Sequence, residues 1–202
     1  VGTDPGKDLE RIRAVREAVG PDIGIRADAN QGYSPAIAIK VIRKFEVFDL
    51  QYVEQPLPYW DLDGMARVAE AIETPIMADE SVFSIHDVVK IVRKRAADII
   101  NLKVGKVGGL RASRKIALIA ESAGIPCMVG SMLELWIGTL AGVHLATAMK
   151  NVSYESELIG PRHYQYDIIK EEPKISNGTI EVPRRPGLGA ELDERKIHGE
   201  NL

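Results

Sequence analysis

Apolar residues recur along this chain in two alternating rhythms. Over 8–19, Leu9, Ile12, Val15 and Val19 fall three and four apart, one stripe of a helix stopped by Gly20-Pro21. Residues 23–29 then read as a strand. Residues 36–45 form the next helix, entered through Ser34-Pro35, a cap followed by a first-turn proline. The alternation continues with strands at 51–54, 75–79, 98–103 and 125–129. Helices are expected at 62–72, 85–95, 110–123 and 137–149, and a last strand at 152–155.

Strands spaced about 25 residues apart, each followed by a helix, are the mark of βα units with a parallel sheet. An open doubly wound sheet and a closed (β/α) barrel both fit that order. The open form would favour a glycine-rich phosphate loop after the first strand, and Asp28-Ala29-Asn30-Gln31-Gly32 is not one. A barrel needs eight strands in roughly 250 residues, and about six are visible here, so the chain reads as a barrel lacking its front. Residues 1–157 are expected to be the partial barrel. Residues 158–202, broken by Pro161, Pro173, Pro183 and Pro186, are expected to be a tail that wraps back over other structure.

Composition narrows the class. The 202 residues are 45% hydrophobic and 27% charged with a net charge of −3, which fits a globular domain and excludes a disordered chain. No basic run suggests a nucleic-acid or anionic membrane surface, and no apolar stretch is long enough to span a bilayer. Cys127 is the only cysteine, so no internal disulfide forms and a reducing, cytoplasmic setting is expected.

Alternate residues of a strand share a face, and barrel sites lie at the strands' C-terminal ends. That single assumption puts Arg26, Asp28 and Asn30 on one face, then Tyr52 and Glu54, then Met77 and Asp79, then Ile99, Asn101 and Lys103. Ile23, Ile25, Val53, Ile76, Ile100 and Leu102 fall on the opposite face, for helices to cover. Asp28, Glu54, Asp79 and Lys103 therefore surround one mouth. Converging carboxylates stay ionised only around a cation, and an all-oxygen set suits Mg²⁺ or Mn²⁺ rather than Zn²⁺. A lysine beside such a centre can exchange protons with a substrate. Each residue alone has a plainer reading: a helix cap, a solvated loop or, for Asp79-Glu80-Ser81, the start of a capping box. Four coincidences at one depth favour the site.

Asp28-Ala29-Asn30, Val53-Glu54-Gln55-Pro56, Ala78-Asp79-Glu80-Ser81 and the run from Asn101 to Gly109 resemble the enolase superfamily, in particular its muconate lactonizing enzyme subgroup. The likeness extends through Ser131-Met132-Leu133-Glu134, Glu157-Leu158-Ile159-Gly160-Pro161 and Pro186-Gly187-Leu188-Gly189. It implies a (β/α)₇β barrel under a separate capping domain. It implies Asp28, Glu54 and Asp79 as Mg²⁺ ligands, Lys103 as acid/base and Glu157 near the substrate carboxylate. Asn30, Glu80 and Glu134 would be supporting residues. The implied reaction takes or delivers an α-proton of a small carboxylate through a metal-stabilised enolate, as a muconate cycloisomerase, an N-acylamino-acid racemase or an o-succinylbenzoate synthase does. Val129-Gly130-Ser131-Met132 lacks the histidine of the mandelate racemase branch. Tyr154-Glu155-Ser156-Glu157 stands where dipeptide epimerases carry Asp-x-Asp, which counts against that substrate class. The family's Lys-x-Lys pair would directly precede Val1. A homo-oligomer, or a second polypeptide completing the barrel, is therefore expected, and a truncated, catalytically inactive fragment or a partner-binding half barrel is the alternative of another class.

The other chemistry-bearing residues read as structural. His86, His144, His163 and His198 share no metal spacing. Met128, Met132 and Met149 read as core fillers, Cys127 as a small buried hydrophobe, and Tyr59 and Trp60 as loop packing or site lining.

Overall fold

The computed structural model describes residues 1–198. Its contacts divide the chain into two units: Val1–Asn101 with Ile119–Pro126, and Leu102–Leu118 with the chain from Cys127 onward.

In the first unit, helices α1 (Pro5–Val19), α2 (Pro35–Phe45), α3 (Leu62–Ala71) and α4 (Ile85–Lys94) alternate with strands β1 (Ile25–Asp28), β2 (Leu50–Glu54), β3 (Ile76–Ala78) and β4 (Ile99–Leu102), of which only Leu102 is assigned to the second unit. Local chemistry starts most helices. The Asp4 side chain accepts from Gly6 and Lys7 N–H at α1, Asp61 from Gly64 N–H at α3, and Ser84 from Asp87 N–H at α4. Ser34 departs from the expected cap. It is extended but makes no side-chain capping bond, and Pro35 alone sets the entry to α2.

The strands are parallel and pair in chain order, with Asp28 opposite Glu54, Glu54 opposite Met77, and Met77 opposite Ile99. Val53, Ile76, Met77, Ala78 and Ile100 are all fully buried, so the sheet is covered on both faces as a parallel sheet requires. α2 buries Ala38, Val41, Ile42 and Phe45, and the larger of these side chains contribute about 1.5–3 kcal/mol each.

Two apolar expectations fail at the edge of this unit. α1 buries Asp8 and Ile12, while Val15 and Val19 face solvent. Ile23, expected under a helix, precedes β1 and is 55% exposed.

In the second unit, β5 (Cys127–Val129) follows part of α5 (Leu110–Ser122) and leads to α6 (Trp136–Ala148). Gly130 N–H, just past β5, donates to Leu102 O at the end of β4. The strand expected at 152–155 shrinks to one parallel bridge between Cys127 and Val152, flanked by Cys127 N–H to Asn151 O and Ser153 N–H to Cys127 O. α6 is apolar around its whole circumference, so it needs cover on every side. Trp136 and Leu140 pack with Ile169, and Ile175, Ile180, Leu188 and Ala190 close over them. These tail residues thus cover one side of α6. The tail also contains an unforeseen hairpin, β6 (Ile175–Ser176) against β7 (Thr179–Ile180), turned by Asn177-Gly178 with both φ angles positive. A short helix, α7 (Glu194–Ile197), follows.

Cys127 is buried and accepts from Asn151 Nδ2, Met128 and Met149 are buried, and His144 meets Leu188 O. Met132 corrects the sequence reading: it is 56% exposed in the loop after β5. Tyr59 and Trp60 are exposed. Among the described residues no helix is long and apolar enough to cross a membrane.

Candidate functional site

The strand register of the first unit sets three carboxylates at successive strand ends. Asp28 ends β1, Glu54 ends β2 directly opposite it, and Asp79 follows β3. Glu54 and Asp79 are buried, at 5% and 4% exposure, and Asp28 is half-buried. Buried carboxylates need compensating donors or cations. Asn101, 1% exposed on β4, donates from Nδ2 to Glu54 Oε1 over 2.6 Å. Asn30 folds back on Asp28, its backbone N–H donating to Oδ1 at 2.8 Å and its Nδ2 to Oδ2 at 2.7 Å. Glu80, half-buried, follows Asp79 in a turn closed by Val82 N–H to Asp79 O.

The loops after these strands are cross-tied. Gln31 N–H donates to Gln55 O, Gln31 Oε1 accepts from Tyr59 N–H, and Tyr33 N–H donates to Pro56 O. Asn30, Gln31 and Gln55 all have positive φ, at 42°, 65° and 34°. Such strain in side-chain-bearing residues concentrates where a site holds its backbone in place.

A second polar cluster anchors the β1 loop from behind. Asp8 has no exposure and accepts from Gly2 N–H, the Tyr33 hydroxyl and Arg11 Nη1 at 2.9, 2.8 and 2.5 Å. Burial pushes the Asp8 carboxyl up, but the bonds from Tyr33, Gly2 and Arg11 outweigh it and hold it below the usual carboxylate range. Burial and the neighbouring carboxylate push the Tyr33 hydroxyl well above the ordinary phenol value. Gly2 lies against this loop so closely that a Cβ there would sit 2.1 Å from Ala29 O.

The second unit carries the remaining candidates. Lys103 directly follows β4, is half-buried, and opens a turn in which Val107 N–H donates to Lys103 O and Gly109 N–H to Val104 O. Glu157 is exposed, and its N–H donates to Val129 O at the end of β5. Glu134 is committed to its own loop. Its Oε2 accepts from Ser131 Oγ and Met132 N–H, beside Leu133 at φ 59°, while Gly160 lies against its backbone. Glu134 thus braces its own loop.

The donor set of Asp28, Glu54 and Asp79 is all oxygen, two of the three are buried, and the register puts the first two side by side; this chemistry fits a hard divalent cation. Among the described residues no three His, Cys, Asp or Glu side chains already stand as a metal-holding group.

Asp8, Tyr33, Gln55 and Ser81 were not singled out from the sequence as parts of the site. Asp8 carried a signal, because it stands four residues before Ile12 on the buried side of α1. Gln55 and Ser81 carried none beyond their place next to candidate ligands.

The family model Enolase C-terminal domain-like matches residues 1–196. The chain is 40% identical over 188 residues to the L-Ala-D/L-Glu epimerase of Bacillus subtilis, covering 92% of this chain and 51% of that protein. It is 35% identical over 190 residues to muconate cycloisomerase 1 of Rhodococcus opacus, covering 94% and 51%. The crystal structure of muconate cycloisomerase from Pseudomonas fluorescens superimposes with a TM-score of 0.94 at 36% identity, over 98% of this chain and 55% of that one. The fold is therefore the TIM-like barrel fold of these enzymes. The chain spans about half the length of the curated relatives it matches.

Proposed function

Because the chain belongs to the enolase C-terminal domain-like family, we propose that its full-length protein is an isomerase that takes and returns the α-proton of a carboxylate substrate, with Asp28, Glu54 and Asp79 holding Mg²⁺. The observation that carries this reading is the register of β1 and β2, which sets Asp28 opposite Glu54 with Asp79 after the next strand. Relatives named as epimerase and cycloisomerase support the reaction type.

The roles follow from the side chains. Asp28, Glu54 and Asp79 supply hard anionic oxygens, and Asn101 fixes the Glu54 carboxylate through Oε1. When bound, Mg²⁺ would supply the positive charge that acidifies the α-proton and offsets charge developing on the substrate carboxylate. Lys103 takes the α-proton at Nζ, or delivers it there. Glu157 would serve as the polar group near the substrate carboxylate, as the family resemblance implies.

The proposed subtype is the muconate cycloisomerase type. N-acylamino-acid racemase or o-succinylbenzoate synthase activity is the alternative within the class. A dipeptide epimerase is a second reading. The 40% identity to the Bacillus subtilis epimerase favours it over the 35% to the cycloisomerase, while Glu155-Ser156-Glu157 in place of Asp-x-Asp weighs against it. The full-length protein, incubated with Mg²⁺ in D₂O, separates these. Muconolactone, N-acylamino acids and dipeptides are followed by NMR for loss of the α-proton signal. Exchange that requires Mg²⁺ and vanishes in Asp79→Asn supports the reading, and the substrate that exchanges fastest assigns the subtype. No exchange on any of them overturns it.

A further inference from the structure

Gln55 is fully buried, and its side-chain amide uses every bonding position it has. Oε1 accepts from Asp79 N–H at 3.0 Å and from Ser81 N–H at 3.2 Å. Nε2 donates to Leu57 O at 2.8 Å and to Ser81 Oγ at 2.9 Å. Two backbone donors aimed at one atom require that atom to be the oxygen, so the network itself fixes the amide's orientation. The backbone of the same residue reaches both neighbouring strands: its N–H donates to Met77 O on β3, and its carbonyl accepts from Gln31 N–H in the loop after β1.

One residue thus touches the three consecutive strand ends that carry Asp28, Glu54 and Asp79. It does so from φ 34°, a conformation that a side-chain-bearing residue adopts only when its surroundings impose it. A buried amide whose only work was filling space would not need this geometry. Leu57 and Val82, both fully buried, show that apolar side chains are accommodated in these same loops.

We infer that Gln55 is a positioning residue for the cation site: it locks the turn bearing Asp79 to the turn bearing Glu54, so that the two carboxylates are presented together. This rests on the reading of Asp28, Glu54 and Asp79 as ligands, and it adds the part that sets their spacing. Groups that orient metal ligands typically change metal affinity about 10–100-fold when removed. Gln55→Met keeps the length and loses all four bonds. Ser81→Ala removes one partner and leaves the backbone N–H contacts in place.

The test is Mn²⁺ binding to the full-length protein, read by electron paramagnetic resonance, at a temperature where circular dichroism shows each variant folded. Gln55→Met is expected to weaken Mn²⁺ binding about tenfold or more, and Ser81→Ala to weaken it by a smaller factor. Asp79→Asn serves as the reference for a lost ligand. A lower melting midpoint with unchanged Mn²⁺ affinity in Gln55→Met makes the residue merely structural and overturns the inference. If Gln55→Met does not fold, Ser81→Ala decides, and unchanged affinity there overturns it. Binding that needs Asp79 but ignores Gln55 rejects the positioning role and leaves the site reading standing. Wild-type protein that binds no Mn²⁺, or binds it equally well in Asp79→Asn, rejects the site reading and the positioning role together.

Discussion

Asn101 and Glu54 lie 47 residues apart in sequence, yet their side chains meet at 2.6 Å, with Nδ2 donating to Oε1. Both are buried, so the bond fixes a carboxylate that water does not solvate freely. Asn101→Ala removes a donor to a buried charged group, which costs about 1–3 kcal/mol. Urea unfolding of the full-length protein is expected to show a destabilisation in that range. A change within a few tenths of a kcal/mol would mean that the amide does not hold Glu54.

The Asp8–Tyr33 pair gives stability a dependence on pH with a definite sign. The folded pKa of Asp8 lies below its ordinary value, because the bonds it accepts outweigh the opposing effect of burial. Its contribution is therefore present above the unfolded carboxylate pKa of about 4 and is lost as pH falls through the folded value. Tyr33 is raised by burial and by Asp8, so its contribution is complete below the unfolded phenol pKa of about 10 and is lost as pH climbs beyond it. Tyr33→Phe is expected to cost about 1.5–3 kcal/mol between those limits, the range for a hydrogen bond to a charged group. The gap between variant and wild type should narrow in acid below pH ~4 and in alkali above pH ~10. A gap constant from pH 3 to 11 would contradict the pairing.

Gly160 is fixed by space rather than by backbone angle. A Cβ there would stand 2.1 Å from Glu134 O and 2.8 Å from Glu134 N, both backbone atoms. Gly160→Ala must displace the loop that Glu134 pins, at a cost of about 1–3 kcal/mol or more. Thermal melts of Gly160→Ala and Gly178→Ala separate local crowding from a general loss of glycine. Gly178 has no atom within 4 Å of its added Cβ, though its φ of 72° imposes its own strain. Restored stability on pairing Gly160→Ala with Thr139→Ala would argue that the clash is relieved elsewhere, since Thr139 Oγ1 donates to the same Glu134 carbonyl.

The alternation of helix and strand was legible because apolar spacing reports burial directly. β1 to β5 fall where the rhythm put them; β1, β3, β4 and β5 are shorter than expected because pairing stops before the apolar run does, while β2 begins one residue earlier, at Leu50. Faces were legible wherever a strand was covered on both sides, as at Val53 and Glu54. They failed at Ile23, which the pattern placed in a strand but which precedes the first ladder bond. Val152 read as a strand, yet only one bridge forms, since four apolar and polar residues cannot specify a ladder without a paired neighbour. The candidate carboxylates were visible as a periodic set. Gln55, Ser81 and Tyr33 were not, because their bonds run to distant segments that no local spacing encodes, and Asp8 was legible only as a position on the buried side of α1.

The central claim is proton transfer by Lys103, and deuterium incorporation tests it most directly. The full-length protein and Lys103→Met are incubated with Mg²⁺ and the best exchanging carboxylate in D₂O. NMR follows deuterium uptake at the α-carbon. The expected result is uptake by the wild type and a loss of about 10²–10⁴-fold in the variant, the range for removing a general acid/base, with Mn²⁺ affinity preserved. Uptake in Lys103→Met at the wild-type rate would contradict the assignment.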